Sequence, residues 1–136
     1  MPATSVARGK VLVVDDDPVV LEIVKELLLG SGYTVDIREQ ALGTAQWVAS
    51  EKPDFVLLDV KMPALSGGEL TQLIRRKEAT NQVAVILHSS IDSEALNALA
   101  RSTGALGAIK KTSNSKLFIA EFERLVARHR ANKTKT

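Results

Sequence analysis

The chain has 136 residues and a net charge of +2, and its apolar and charged fractions, 45% and 25%, are those of an ordinary globular protein. It has no cysteine and only two histidines, which excludes disulfides and thiolate metal sites and argues against a histidine-rich zinc site. No apolar stretch approaches the length of a membrane span and the N-terminus lacks the apolar run of a secretory signal, so we expect a cytoplasmic protein without membrane contact.

Strand-like and helix-like patterns alternate five times. Residues 1–8 are small and polar, and we expect them to be disordered. In chain order the predicted elements are a strand at 10–14, a helix from Asp17 and Pro18 to about Gly30, a strand at 33–37, a helix at 41–50, a strand at 54–59, a helix at 69–79, a strand at 83–88, a helix at 93–103, a strand at 106–110 and a helix at 114–130.

This alternation predicts an α/β fold, a parallel sheet with helices on both faces joined by right-handed crossovers. Asp17 is expected to cap the first helix, with Pro18 in its first turn. In the second helix, Leu42 and Val48 are among the residues expected to face the core. A single domain is expected at 9–130, followed by a basic, disordered tail at 131–136.

The positive charge is concentrated near the C-terminus. Such a segment can contact nucleic acid or an acidic partner, or it can be a solvated helix end, where cations are favoured. No motif that reads a DNA groove accompanies the charge, so direct DNA binding is not expected. The residues concerned are Arg124, Arg128, Arg130, Lys133 and Lys135.

Four apolar runs end on polar residues of different kinds. Because the carboxyl ends of parallel strands meet at one edge of a sheet, where such folds bind ligands, these residues are predicted to form one cluster. Three carboxylates and one ammonium carry a local charge of about −2, which a divalent cation would offset. The set therefore suits a metal ion and a phosphoryl group, and its members are Asp15, Asp16, Asp59, Ser89 and Lys111.

Several of these residues stand in a recognisable context. The run 13–18, the segment 54–63 with Gly67, and Lys111 resemble the receiver domain of two-component response regulators. The resemblance covers nearly the whole chain, from about Lys10 to His129. It implies a flavodoxin-like (βα)5 doubly wound sheet with strand order 2-1-3-4-5.

The resemblance also implies the role of each residue. Asp59 would be the nucleophile that becomes an aspartyl phosphate. Asp16, Asp59 and the backbone carbonyl of Lys61 would hold Mg²⁺, with Asp15 acting through a bound water. Lys111 would bind one phosphoryl oxygen, and Ser89 would donate a hydrogen bond to another.

Two residues depart from the family's usual pattern. Thr112 follows Lys111 where the family usually has proline, often in a cis peptide, so the loop after Lys111 is expected to be trans or rearranged. Ala108 stands where family members often carry an aromatic residue that moves inward on phosphorylation. Because alanine has no side-chain rotamer to change, any output would come from backbone motion or from the surface of the fourth helix.

The interpretation favoured by these residues is a stand-alone response regulator receiver. It would take a phosphoryl group from a histidine kinase or phosphotransfer protein onto Asp59, and it would catalyse this transfer and its own slow dephosphorylation without being a metabolic enzyme. Its downstream protein would bind the face of helix 4, strand 5 and helix 5, and phosphorylation could drive homodimerisation.

Two alternatives stay open. The departures at Ala108 and Thr112 would suit a pseudo-receiver, a protein-binding module that works without phosphorylation. A phosphohydrolase of the haloacid dehalogenase type is suggested by Asp15 and Asp17, but that motif normally continues to a threonine where this chain has Val19.

Overall fold

A computed structural model describes residues 8–133, and it confirms the predicted α/β architecture. The strands are β1 (Lys10–Val14), β2 (Thr34–Arg38), β3 (Phe55–Leu58), β4 (Ala84–Ser89) and β5 (Gly107–Lys110). The helices are α1 (Pro18–Gly30), α2 (Thr44–Glu51), α3 (Gly67–Arg76), α4 (Ser93–Thr103) and α5 (Ser115–Lys133).

The five strands form one parallel sheet in the order β2-β1-β3-β4-β5, as the resemblance implied. β3 and β4 are buried along their whole length because helices cover both of their faces. β2 lies at an edge, and three of its five residues are exposed. β2 pairs with one side of β1, and β3 pairs with the other side. The direction in which strands are added to the sheet therefore reverses between β1 and β3, and folds of this kind bind ligands at that point.

Successive side chains of each strand point to opposite faces, so the sheet separates two apolar cores. One core lies under α1 and α5, where Phe55 and Phe122 pack with their rings 5.9 Å apart. The other lies under α2, α3 and α4, where Val56 and Leu87 pack against Leu70. With the sheet fixed between two cores, the carboxyl ends of the strands form a rigid base for the loops that follow.

Two helix starts follow directly from local chemistry. The side chain of Asp17 accepts a hydrogen bond from the Val19 amide at 2.9 Å, which confirms the predicted cap of α1. Ser66 and Glu69 form a capping box at the start of α3, in which each side chain bonds the other residue's backbone N–H. This box places the N-terminal turn of α3 just after the loop that leaves β3.

The second helix was predicted to begin too early. It starts at Thr44 because Gly43 has a φ of +83°, in the left-handed region that a helix cannot include. Leu42, predicted to face the core, therefore lies in the preceding loop and is 59% exposed. Val48 is fully buried, as predicted.

Four residues that were predicted to lie in disordered ends, Arg8 and residues 131–133, make regular contacts or belong to a helix. α5 continues through Lys133, so residues 131–133 belong to a helix and not to a tail. Arg8 is also ordered, since its backbone N–H donates to Gly32 O at 3.0 Å and its guanidinium pairs with Glu123. Residues 1–7 and 134–136 of the predicted ends lie outside the described residues.

Candidate functional site

The five residues predicted to form a cluster lie at the carboxyl ends of β1, β3, β4 and β5, where Ser89 is the last residue of β4 and the others follow their strands. Backbone hydrogen bonds extend the strand pairing past the strand ends and hold the site in place. The Asp59 amide donates to Val14 O at 2.9 Å, and the Lys111 amide donates to Ser89 O at 2.8 Å. Asp15, Asp59 and Ser89 are buried, whereas Asp16 is exposed.

Three carboxylates meet at this edge, as the sequence predicted. One oxygen from each of Asp15, Asp16 and Asp59 can be chosen so that all lie within 4.8 Å of one another. Asp15 is held in position because its Oδ1 accepts the Asp17 amide at 2.9 Å. Its Oδ2 is buried, and the ammonium of Lys111 at 2.8 Å compensates its charge.

Lys111 supplies the cation of the cluster. Its Nζ lies 2.8 Å from Asp15 Oδ2 and 3.6 Å from Asp59 Oδ1, although Thr112 and not proline follows it. No cis peptide bond occurs within residues 8–133, in keeping with a trans loop after Lys111. Burial disfavours the ammonium, but the carboxylates of Asp15 and Asp59 outweigh that effect and raise the pKa of Lys111. The side chain therefore stays charged and can neutralise an oxyanion.

The Asp59 carboxyl is held at an elevated pKa. Burial is the main cause and the nearby Asp15 carboxylate is the second, while Lys111 and the backbone N–H groups of Lys61 and Val60 act in the opposite direction. The ionised form of Asp59 is thus less stable in the folded protein than in the unfolded chain. These two backbone N–H groups belong to the site, but sequence reasoning missed them because no side chain marks them.

We expect the substitution Asp59→Asn to stabilise the fold without Mg²⁺. Because the folded pKa of Asp59 lies above its unfolded value of 3.8, the folded protein holds the proton more tightly. The contribution of Asp59 to the free energy of unfolding is therefore largest below pH 3.8 and is lost as the pH rises through the folded pKa. Asparagine keeps the shape without the charge, so its advantage should be larger at pH 7 than at pH 4, on the order of 1–4 kcal/mol. Urea unfolding at both pH values measures this, and an advantage that is equal at both would contradict it.

The remaining polar residues at the edge divide between the two faces. Ser89 Oγ lies 3.3 Å from the Ile91 amide, from which it accepts a hydrogen bond, so its own proton is available to a bound oxyanion. His88 points to the α1 and α5 side, with its ring 5.3 Å from that of Phe118. Burial, with Lys111 as a second cause, lowers the pKa of His88 to about 3, so its ring is neutral. Lys110 is exposed, as expected for its side of the strand.

The loop after β3 is packed closely against the start of α3. The Gly67 amide donates to Val60 O at 2.9 Å, and a Cβ added at Gly67 would lie 2.2 Å from Asp59 O. Only glycine allows this approach, so Gly67 fixes the backbone that carries Asp59. Lys61 is exposed in the same loop, and its carbonyl stays a predicted metal ligand.

The donor set fits a hard divalent cation. Carboxylate oxygens are the ligands that Mg²⁺ prefers, and three carboxylates face the single ammonium of Lys111, which leaves a net negative charge that suits a cation. Asp15, Asp16 and Asp59 would hold the ion, and the exposed position of Asp16 leaves room for the bound waters that Mg²⁺ retains. A phosphoryl group near Asp59 would then meet Lys111 and Ser89.

Comparison with known proteins shows the family of this chain. The family model of the response regulator receiver domain matches residues 11–123, and the chain belongs to this family. The chain is 29% identical over 136 residues to the alkaline phosphatase synthesis transcriptional regulatory protein SphR of Synechococcus elongatus, covering 93% of this chain and 52% of that protein. It is 30% identical over 112 residues to histidine kinase 5 of Arabidopsis thaliana, covering 80% of this chain and 12% of that protein.

Solved structures show the same fold. The chemotaxis response regulator CheY4 of Vibrio cholerae superimposes with a TM-score of 0.79 at 22% identity, covering 89% of this chain and 99% of that one.

The chain spans about half or less of the two curated relatives, so their complete activities do not transfer to it. Receiver domains as a class interact with histidine kinases or phosphotransfer proteins and bind Mg²⁺ at an acidic cluster. Among the described residues, no helix has both the length and the apolarity needed to cross a bilayer.

Proposed function

We propose that the chain is a phosphorylation switch in which Asp59 accepts a phosphoryl group from a histidine kinase or a phosphotransfer protein. The observation that carries the proposal is the position of Lys111, whose ammonium contacts both Asp15 and Asp59 although the usual proline after it is replaced by Thr112. The charge groups needed for phosphoryl transfer are thus all at one edge of the sheet.

The proposed transfer is a single displacement at phosphorus. An Oδ atom of Asp59 attacks, the new P–O bond forms, and the P–N bond of a donor phosphohistidine breaks, with its electron pair leaving on the imidazole nitrogen. Lys111 neutralises a phosphoryl oxygen, and the free proton of Ser89 is donated to another. Asp15, Asp16 and Asp59 would hold Mg²⁺, which would further neutralise the charge on the phosphoryl oxygens. The buried setting of Asp59 limits access of water to the product.

The output surface is proposed to be the face of α4, β5 and α5. At Ala108 the small side chain leaves a cleft of about 240 Å³, lined also by Leu96 and by Leu117, which is 50% exposed. Ser89 begins the connection from β4 to α4, so a change at its hydroxyl would reach this face through the backbone. A downstream protein, or a second copy of the chain, would bind here.

Mass spectrometry after treatment with a small acyl phosphate and Mg²⁺ tests the proposal. We expect a gain of one phosphoryl group in the wild-type protein and none in Asp59→Asn. Asp16 is exposed, and both oxygens of Asp15 are already engaged, Oδ1 by the Asp17 amide and Oδ2 by Lys111 at 2.8 Å. Asp17→Asn is the matched control, since Asp17 is exposed and only caps α1, and it should still be phosphorylated.

The outcomes separate the alternatives. No gain of mass in the wild-type protein would support a pseudo-receiver that binds partners without phosphorylation. Multiple turnovers of a phosphate ester would support a phosphohydrolase. A gain that persists in Asp59→Asn would place the acceptor elsewhere and contradict the proposed role of Asp59.

A further inference from the structure

A second concave region lies at the opposite edge of the sheet from Asp59, where β4 and β5 begin. It is a cleft of about 600 Å³ whose walls come from the end of α3, the start of β4 and the end of α5. We call it the basic cleft, and it is defined here by Arg75, Asn81, Ala105, Arg128, His129 and Lys133. None of these residues takes part in the proposed phosphorylation.

A smaller cleft adjoins the first one. It measures about 450 Å³ and is lined by Arg75, Arg76 and Arg101, so Arg75 lies between the two. No carboxylate of residues 8–133 lines either cleft. Arg75, Arg76, Arg101 and Arg128 also form no ion pair within 4.0 Å in this part of the chain. The positive charge of these guanidinium groups is therefore not neutralised locally.

Two of the guanidinium groups are already positioned. Arg75 donates to Asn81 O at 2.5 Å and lies over Gly104, where an added Cβ would be 3.4 Å from its Cγ. Arg128 donates to Leu106 O. Asn81 and Leu106 lie outside α3 and α5. Each guanidinium is therefore anchored to a neighbouring segment, and attraction to the C-terminal end of its own helix does not by itself explain its position. A ligand would meet positioned donors and would lose less side-chain entropy on binding.

The cations of different helices converge at this edge. Burial lowers the pKa of His129 on α5, and Lys133, Arg130 and then Arg75, which lies on α3, lower it further. Against these cations, the carboxylate of Asp54 raises the pKa of His129 and is the smallest of the named effects, and Asp54 also accepts the Lys10 amide at 2.8 Å. The edge therefore keeps an excess of positive charge.

From this geometry we infer that the basic cleft and its neighbour form a binding site for a small ligand with two or more phosphate groups. Arginine forks bind phosphate oxygens in pairs, which favours this class of anion. The volumes fall in the range of about 300–1,000 Å³ that is usual for small-molecule sites. Because Arg75 lines both clefts, a ligand with two anionic groups could place one in each cleft.

Titration calorimetry and NMR with tripolyphosphate, in EDTA and low salt, test the inference. We expect saturable binding with amide shifts centred on Asn81, Gly104 and Leu106, at the edge opposite Asp59. Arg101→Gln and Arg128→Gln should each weaken binding about tenfold or more. Arg101 has no hydrogen bond or ion pair to lose within residues 8–133, so its variant should fold even if Arg128→Gln does not.

Arg124→Gln is the matched control. It removes the same charge from α5, but Arg124 pairs with Glu121 at 3.2 Å and lines neither cleft. The Arg124→Gln variant should bind tripolyphosphate with wild-type affinity. If it lost as much affinity as Arg101→Gln and Arg128→Gln, the loss would be a general effect of charge and the inference would be overturned. Amide shifts centred on Asp15 and Lys111 would overturn it, as would the absence of binding at millimolar tripolyphosphate.

Further ligands identify the chemistry. Tighter binding of a nucleoside triphosphate than of tripolyphosphate would support the inference and indicate a nucleotide, and equal binding would support it with phosphate groups alone as the recognised feature. Binding of a tricarboxylate or polyglutamate in place of tripolyphosphate would overturn the phosphate assignment. Binding of a single-stranded oligonucleotide, with no binding of tripolyphosphate, would overturn the small-ligand assignment.

Discussion

Replacing Lys111 with methionine is expected to slow phosphorylation of Asp59 by about 100-fold or more. The ammonium lies 2.8 Å from Asp15 Oδ2 and 3.6 Å from Asp59 Oδ1, and it is the cation proposed to neutralise the incoming phosphoryl oxygens. Methionine keeps a flexible apolar stem of similar length without the charge. The rate is measured by mass spectrometry with an acyl phosphate at saturating Mg²⁺.

The same substitution should change the response to Mg²⁺. Without Lys111, the buried Oδ2 of Asp15 has no compensating cation, and we expect a loss of stability of about 1–3 kcal/mol in EDTA. Mg²⁺ at the proposed site would bind only the folded cluster, so it should raise the melting temperature of the wild-type protein and raise that of the variant further.

Lys110→Met provides the control for both measurements. Lys110 is the neighbouring residue, carries the same charge and is exposed on the other side of the strand. The Lys110→Met variant should be phosphorylated at the wild-type rate, and its melting temperature should respond to Mg²⁺ as that of the wild-type protein does. Equal rates for Lys111→Met and wild type, or equal losses in both variants, would contradict the role given to Lys111.

Replacing Gly67 with alanine is expected to destabilise the fold by about 3 kcal/mol. The added Cβ would lie 2.2 Å from Asp59 O and 2.9 Å from Val60 Cα, and both are backbone atoms that cannot move aside by rotating a side chain. Relief would require the loop after β3 to shift, and that loop begins at Asp59, the proposed phosphate acceptor. Phosphorylation should therefore fall even in the molecules that stay folded.

Gly30→Ala is the matched control for this prediction. Gly30 ends α1, has no positive φ, and an added Cβ would meet no atom within 4 Å. Alanine there should leave stability unchanged or raise it by up to about 1 kcal/mol. Urea unfolding compares the two variants with wild type. Equal stability of Gly67→Ala and Gly30→Ala would show that the loop is not held by the close approach at Gly67.

Elements whose signals are local were predicted closely. The apolar runs of β1, β3 and β4 mark strands buried on both faces, and the cap at Asp17 marks a helix start that depends on a few adjacent residues. The cluster at the carboxyl edge also followed from the sequence, because the parallel order of strands brings their ends together whatever the intervening loops do.

What depends on the exact path of the backbone, and not on a residue type or a spacing, could not be predicted. Thr44 begins α2, while Arg38 on β2 bonds Leu42 O and Thr44 Oγ1, and this arrangement leaves Leu42 in the loop. α5 passes the predicted end at Arg130, whose guanidinium donates to Arg8 O. In the site, the backbone donors to Asp59 and the close approach at Gly67 depend on how the loop after β3 folds back, which no side chain marks.

The contact between Arg130 and Arg8 has a practical consequence. Residues 8 and 133 both lie at the edge of the sheet where the strands begin, and Asp59 lies at the other edge. If the protein is immobilised on a sensor chip through residue 8 or residue 133, the carboxylate of Asp59 will face the solution. Phosphotransfer could then be followed in real time without the support shielding the reaction.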